Sequence, residues 1–258
     1  MYGKYAKIQI RSMLQYKFNT FVLIISSIIA TLADFLSIYV LFSQFKSVAG
    51  WGFYESSLMF GMVTMIFSSV ECFARGYDEF SSVIRSGDLD RLLVRPIGIP
   101  RQLFYHKIEF TKLSRVLFGL VVTIFSIVNL NIVWTLPKVL VLIASVVCGC
   151  AVIFGAMLIA AGTCVFTIEQ SEMSNIITNG SKELCYYPIN VYNKWLARFF
   201  TFVIPLACFN YLPLSYIMGT GNLPQVVYAL SPLFGIIFVI PCFIFFKWCL
   251  KHYQSTGT

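Results

Sequence analysis

The chain has little charge. Only 12% of its 258 residues are Asp, Glu, Lys or Arg, and two are histidine, against roughly 25% charged in soluble domains. The 58% that are apolar exceed what a core of this size can absorb. The sequence also lacks a G-x-x-x-x-G-K-S/T phosphate loop, an H-E-x-x-H pair and a G-x-S-x-G elbow. Without them it has no ATP cleavage on a phosphate loop and no metallopeptidase or serine-hydrolase constellation. No block of Lys and Arg interleaved with aromatics marks a nucleic-acid footprint. The eight cysteines, at 72, 148, 150, 164, 185, 208, 242 and 249, fall mostly inside apolar runs rather than at zinc or disulfide spacings. They read as small apolar filler, and the C-x-C of Cys148 and Cys150 has no His or carboxylate nearby to complete a metal site.

The apolar residues arrive in unbroken runs of about 18 or more, the length that crosses a bilayer as helix. Six spans are predicted, at about 21–45, 57–73, 116–134, 137–168, 197–211 and 232–250. The expected fold is therefore an all-α integral membrane protein forming one transmembrane domain over 1–258. Residues 1–18 place Lys4, Lys7, Arg11 and Gln15 along one helical stripe, with Ile10, Met13 and Leu14 opposite. That pattern suits a helix lying at the membrane interface. About 17 mostly amphipathic residues ahead of a run of roughly 25 do not fit a cleaved signal peptide, so the first span is expected to be retained.

The fourth run would make roughly 48 Å of helix against a ~30 Å hydrocarbon core, so it should tilt, kink or protrude, with Gly149, Gly155 and Gly162 as candidate bends. Ala151 with Gly155, and Ala156 with Ala160, are small-xxx-small pairs that let another helix come close. Beyond Phe199, Pro205, Pro213, Pro224, Pro232, Pro241 and the stretch from Met218 to Leu223 interrupt the apolar pattern. A broken or re-entrant segment is expected at about 213–230, because irregular backbone at membrane depth needs protein or a wet cavity to satisfy it.

The formal charge of +8 is arranged by topology. With the N-terminus inside, seventeen of the nineteen Lys and Arg fall in cytoplasmic segments: Lys4, Lys7, Arg11 and Lys17; Arg75, Arg85, Arg91, Arg95, Arg101, Lys107, Lys112 and Arg115; Lys182, Lys194 and Arg198; Lys247 and Lys251. Only Lys46 and Lys138 are left outside. Short cytoplasmic loops hold such an excess, which predicts six spans with both termini cytoplasmic.

The longest polar segment, Arg75 to Arg115, lies on that basic side. Within it Ser86 or Asp88 can cap a short helix, Leu89, Leu92 and Leu93 share a face, and Pro96 ends it. Carboxylates at Asp88 and Asp90 suit its N-terminal end. Two readings follow: a plug for a groove on a soluble partner, or a helix resting on lipid headgroups.

The run from Ile84 to Ile97, I-R-S-G-D-L-D-R-L-L-V-R-P-I, resembles the G-x-L-D-x-x-L-x-R-P segment of ABC-2 type permeases, transmembrane subunits of bacterial exporters. Tyr187-Pro188, Ile204-Pro205 and Tyr211-Leu212-Pro213 are similar to the Y-P, I-P and Y-x-P pattern of the same subfamily. The resemblance covers essentially the whole chain. It implies a permease subunit of the bacterial cytoplasmic membrane, without an ATP-binding motif of its own or any other cofactor, that exports a substrate using ATP hydrolysed by a separate cytosolic ABC ATPase. It further implies a second permease subunit, identical or sibling, and an ATPase-coupling helix carried by Gly87, Asp88, Leu89, Asp90, Leu92, Leu93, Arg95 and Pro96. An ATP-independent secondary transporter or channel is the rival, since such proteins also break helices near prolines.

Two carboxylates sit near membrane depth, where a charge costs several kcal/mol unless it faces protein or water. Asp34 either lines a pathway or binds a neighbouring helix, and Glu71 is expected to pair with Arg75 one turn on. In the loop from Glu169 to Arg198, either a second ATPase contact or a connecting helix is expected, with Tyr187, Tyr192, Trp195 and Phe199 as headgroup anchors.

Overall fold

The computed structural model describes residues 2–167, 180–220 and 224–253, with side chains from Lys7 onward. It is helical throughout, and among the described residues the only extended pairing is an isolated bridge between Val48 and Trp51. Helix α1 (Tyr2–Gln15) leads through Tyr16 into α2 (Lys17–Gln44). Helix α3 (Phe53–Phe73) returns, and α4 (Arg75–Asp78), α5 (Phe80–Arg85), α6 (Asp88–Leu93) and α7 (Ile99–His106) form a compact polar connection. Then follow α8 (Leu113–Asn129), α9 (Leu136–Thr167), α10 (Ser181–Leu184), α11 (Lys194–Phe202), α12 (Tyr211–Met218) and α13 (Gln225–Lys251). The residues 168–179, with Glu169 and Glu172, and 221–223, within the expected re-entrant stretch, lie outside those described.

Among the described residues, five helices are long and apolar enough to cross a bilayer: α2, α3, α8 with the 3₁₀ turn before it, α9 and α13. A sixth crossing is made if α11 and α12, with the 3₁₀ turn Leu206–Cys208, count as one span bent by 74°. Helix α3 lies at the centre, with fourteen of its residues buried. Helix α2 is peripheral, presenting Phe21, Leu23, Ile25, Ile29 and Leu36 outward, the side chains that lipid would solvate.

Close approach is set by small residues. Gly61 of α3 meets Gly119 of α8 so tightly that a Cβ on Gly61 would stand 2.9 Å from the Gly119 carbonyl oxygen and 2.5 Å from Thr123 Oγ1. No other residue allows the two backbones so near. Gly155 of α9 faces Phe238 and Cys242 of α13, so one of the predicted small pairs does contribute to a helix contact. Helix α9 runs unbroken through Gly149, Gly155 and Gly162.

The proline-rich C-terminal third is arranged differently from the sequence expectation. One break falls at 203–205, inside the predicted fifth span, and the helical run is interrupted again within the expected 213–230 stretch, between the end of α12 at Met218 and the start of α13 at Gln225. The last helix is continuous from Gln225 and contains both Pro232 and Pro241. A proline inside a helix strands the carbonyl four residues earlier. Here the Ser231 hydroxyl donates to the Tyr228 carbonyl at 2.8 Å, satisfying the group that Pro232 frees.

Candidate functional site

The segment 74–106 closes one end of the bundle. Helix α3 ends because Ala74 (φ −111°, ψ 19°) leaves helical geometry, and α4 starts on a new axis. The α5–α6 junction turns on Gly87, whose φ of 72° is left-handed, a conformation that costs an L-residue 1–2 kcal/mol. Gly87 itself is the N-cap of α6, in place of the expected side-chain cap; the Ser86 hydroxyl donates instead to Asp88 Oδ2 (2.9 Å), which also accepts from Arg91 at Oδ1 (3.2 Å).

Beyond α6, the buried Gln102 amide donates to the carbonyls of Leu92 (2.8 Å) and Ile97 (2.6 Å), fixing the turn around Pro96. The Tyr77 hydroxyl donates to the Pro100 carbonyl (2.6 Å). Gln9 of α1 donates to the His106 carbonyl and accepts from the Ile108 N–H (3.2 and 2.7 Å), so the N-terminal helix is tied to the same segment.

The three leucines do not share an exposed face. Leu89 is fully buried and Leu92 nearly so, in one apolar cluster with Phe80, Ile84 and Leu103. Leu93 is 47% exposed. Leu93 follows Leu89 by one turn but is the last residue of α6, and it lies beyond the apolar cluster that holds Leu89 and Leu92. The exposed tip is made of Arg91, Leu93, Val94, Arg95 and Pro96. The inward side reaches the spans through aromatic rings: Phe80 with Phe246 of α13 (centroids 5.7 Å), and Tyr77 and Phe104 with Phe154 of α9 (5.2 and 6.2 Å).

A charge network lies beside it. Arg75 holds Asp78, Glu79 (3.2 Å) and Glu109 (3.1 Å), and Lys107 also reaches Glu79 (2.6 Å). Burial opposes the charge on Arg75, but the Asp78, Glu109 and Glu79 carboxylates outweigh it and hold its pKa above the ordinary value. Glu71 pairs not with Arg75 but with Lys112, at 2.8 Å. The break at Ala74 swings Arg75 off the axis of α3, so the i,i+4 relation expected from the sequence does not form.

Asp34 meets a partner that sequence reading did not suggest. Lys182 of α10, counted among the loop cations, is only 13% exposed in its side chain, and its Nζ lies 4.0 Å from Asp34 Oδ2. The segment after α9 is no simple loop, because Tyr186 is buried against Phe60 of α3 (4.6 Å) and the buried Asn210 amide donates to the Cys185 carbonyl (2.6 Å). Its neighbours behave as surface aromatics: Trp195 is 72% exposed and stacks on Phe199. The expected Tyr187, Ile204 and Tyr211 motif residues surround this insertion, with Tyr211 against Trp51 (5.6 Å) and accepting from Asn190 (2.6 Å). Among the described residues no group of three or more His, Cys, Asp or Glu is placed to hold a metal ion.

A family profile described as ABC-2 family transporter protein matches residues 28–257, nearly the whole chain, including the G-D-L-D segment and the bent pair. The chain belongs to the ABC-2 transporter family. No curated protein and no solved structure matches it significantly. As an ABC-2 family protein it is a multi-pass membrane permease component of an ABC transporter. Members of the family associate with ABC ATPase partners, in which the ATPase activity resides.

Proposed function

We propose that this permease is the membrane half of an ATP-driven exporter of a bacterial cytoplasmic membrane, with both termini and the 74–106 segment on the cytosolic side. The segment from Gly87 to Pro96 is the coupling element that docks on a separate ABC ATPase. A second permease subunit completes the pathway.

The observation that supports this is mechanical. The tip formed by Leu93, Val94 and Arg95 is exposed, while the opposite face of the same short helix is locked through Leu89, Phe80 and Tyr77 onto α9 and α13. Well-packed interiors are incompressible. A displacement applied at the tip is therefore carried to two spans instead of being absorbed locally. Arg91 and Arg95 give the tip a positive rim that suits a carboxylate-lined groove, and the excess of Lys and Arg at this end supports the cytosolic orientation.

The test is co-purification of the tagged permease with the ABC ATPase encoded beside it. Leu93→Asp combined with Val94→Asp places two carboxylates on the exposed tip and leaves the amount of permease in the membrane unchanged. ATPase recovery then falls at least tenfold. Full recovery removes the coupling assignment.

A further inference from the structure

Between α3, α4, the start of α8, α9 and α10 lies a cavity of about 120 Å³, far above the ~10–15 Å³ that one water needs. Its apolar wall is Phe67, Ile153 and Met157. Its polar lining, among the described residues, is four cations, Arg75, Lys112, Arg115 and Lys182, against two carboxylates, Glu71 and Asp78. Both carboxylates are already engaged: Asp78 by Arg75, and Glu71 by Lys112.

The two remaining cations are under-compensated. Arg115 forms no ion pair or side-chain hydrogen bond with any described residue, and its Nε is buried without a partner. Lys182 has one carboxylate within ion-pair reach, Asp34 at the 4.0 Å limit, and its Nζ lies 5.8 Å from the centre of the Tyr186 ring. Its pKa is held below the ordinary lysine value, first by burial and then by the repulsion of Arg115; Glu71 and Asp34 oppose the shift without cancelling it, and Lys112 adds to it. Burying like charges side by side costs several kcal/mol per ion unless an opposite charge joins them. A wettable cavity with two cations facing inward has the composition of an anion site, and an arginine fork next to an ammonium suits an oxyanion.

We propose that this cavity binds a single oxyanion group, a phosphate or a carboxylate, held mainly by Arg115 and Lys182, with Lys112 and Arg75 kept in place by Glu71 and Asp78. The apolar wall beside the charges fits the neck of an amphiphile, so the group is the headgroup of a lipid-like molecule or a free anion of the same chemistry. This site does not depend on the export reading, because binding is measured on the permease without an ATPase.

The full-length permease is purified in a neutral detergent, and two probes are used. Native mass spectrometry counts phosphatidylglycerol adducts against phosphatidylcholine; titration calorimetry follows inorganic phosphate. Saturable binding of phosphatidylglycerol alone assigns the site to a headgroup, of phosphate alone to a soluble oxyanion, and of both to the shared chemistry; each supports the proposal. Arg115→Gln and Lys182→Gln each weaken that binding at least tenfold, while Lys138→Gln, on the short α8–α9 connection side, leaves it unchanged. Lys182→Arg keeps the charge and retains affinity, which separates lost binding from a loosened fold. If neither probe binds above the phosphatidylcholine level, or if Arg115→Gln and Lys182→Gln bind as the parent does, the proposal is wrong.

Discussion

Leu89 and Leu93 are four residues apart in one short helix and should respond to truncation in opposite ways. Leu89 is 0% exposed, packed among Phe80, Ile84 and Leu103, and the segment faces water rather than lipid in the proposed topology. Removing its isobutyl group loses transfer free energy and leaves a cavity, which together cost about 2–5 kcal/mol in well-packed sites. Leu93 is 47% exposed, and surface truncations mostly stay within about 0.5 kcal/mol. Hydrogen exchange of the 80–105 amides in the detergent-solubilised permease reads the difference, since these amides exchange by opening of the segment. A loss of about 3 kcal/mol in Leu89→Ala speeds their exchange by roughly two decades, at 1.4 kcal/mol per tenfold, whereas Leu93→Ala leaves the rates within about threefold. Faster exchange in Leu93→Ala than in Leu89→Ala would refute the packing described here, and with it the separation of an inward anchor from an outward tip.

Two further outcomes follow from the same geometry. Gly61→Ala sets a methyl group 2.5 Å from Thr123 Oγ1 and 2.9 Å from backbone atoms of α8. Overpacking of this kind costs about 1–3 kcal/mol, so the thermal midpoint of the purified permease should drop by several degrees; an unchanged midpoint would mean that α3 and α8 do not cross there. Lys182 has a pKa lowered by burial and by Arg115, so its charged form is disfavoured in the fold. That penalty is fully present below the folded pKa and fades as pH rises toward the free lysine value of about 10.4. Lys182→Met should therefore raise stability at neutral pH and flatten the pH dependence between neutrality and pH 10, measured as the difference in unfolding midpoint from the parent; a constant difference over that range would show that Lys182 is not desolvated.

Much of the architecture is readable in one dimension. The bilayer demands runs of apolar residues long enough to satisfy every backbone group internally, and those runs locate α2, α3, α8, α9 and α13 to within several residues. Proline was the weak point. Read as a helix breaker, Pro232 starts a span; in the fold it sits inside α13, because a neighbouring serine satisfies the carbonyl it frees. Whether such a partner exists depends on side-chain placement rather than on the order of prolines.

The candidate site divides along the same line. Its location, between two spans and bounded by Gly87 and Pro96, is written in the sequence because turn glycines, prolines and charge runs act locally. Which leucine faces inward is not, since α6 is too short for periodicity to pick a face and α5 and α7, the helices packed on it, choose it. The pairing of Glu71 with Lys112 and the approach of Lys182 to Asp34 join residues 41 and 148 positions apart, and nothing local encodes contacts across such separations. The sequence alone determined that the chain lives in lipid and where its basic residues gather. Only the tertiary structure decided which of those charges are neutralised and which two are left facing a cavity, because ion pairing depends on distances that helix packing sets.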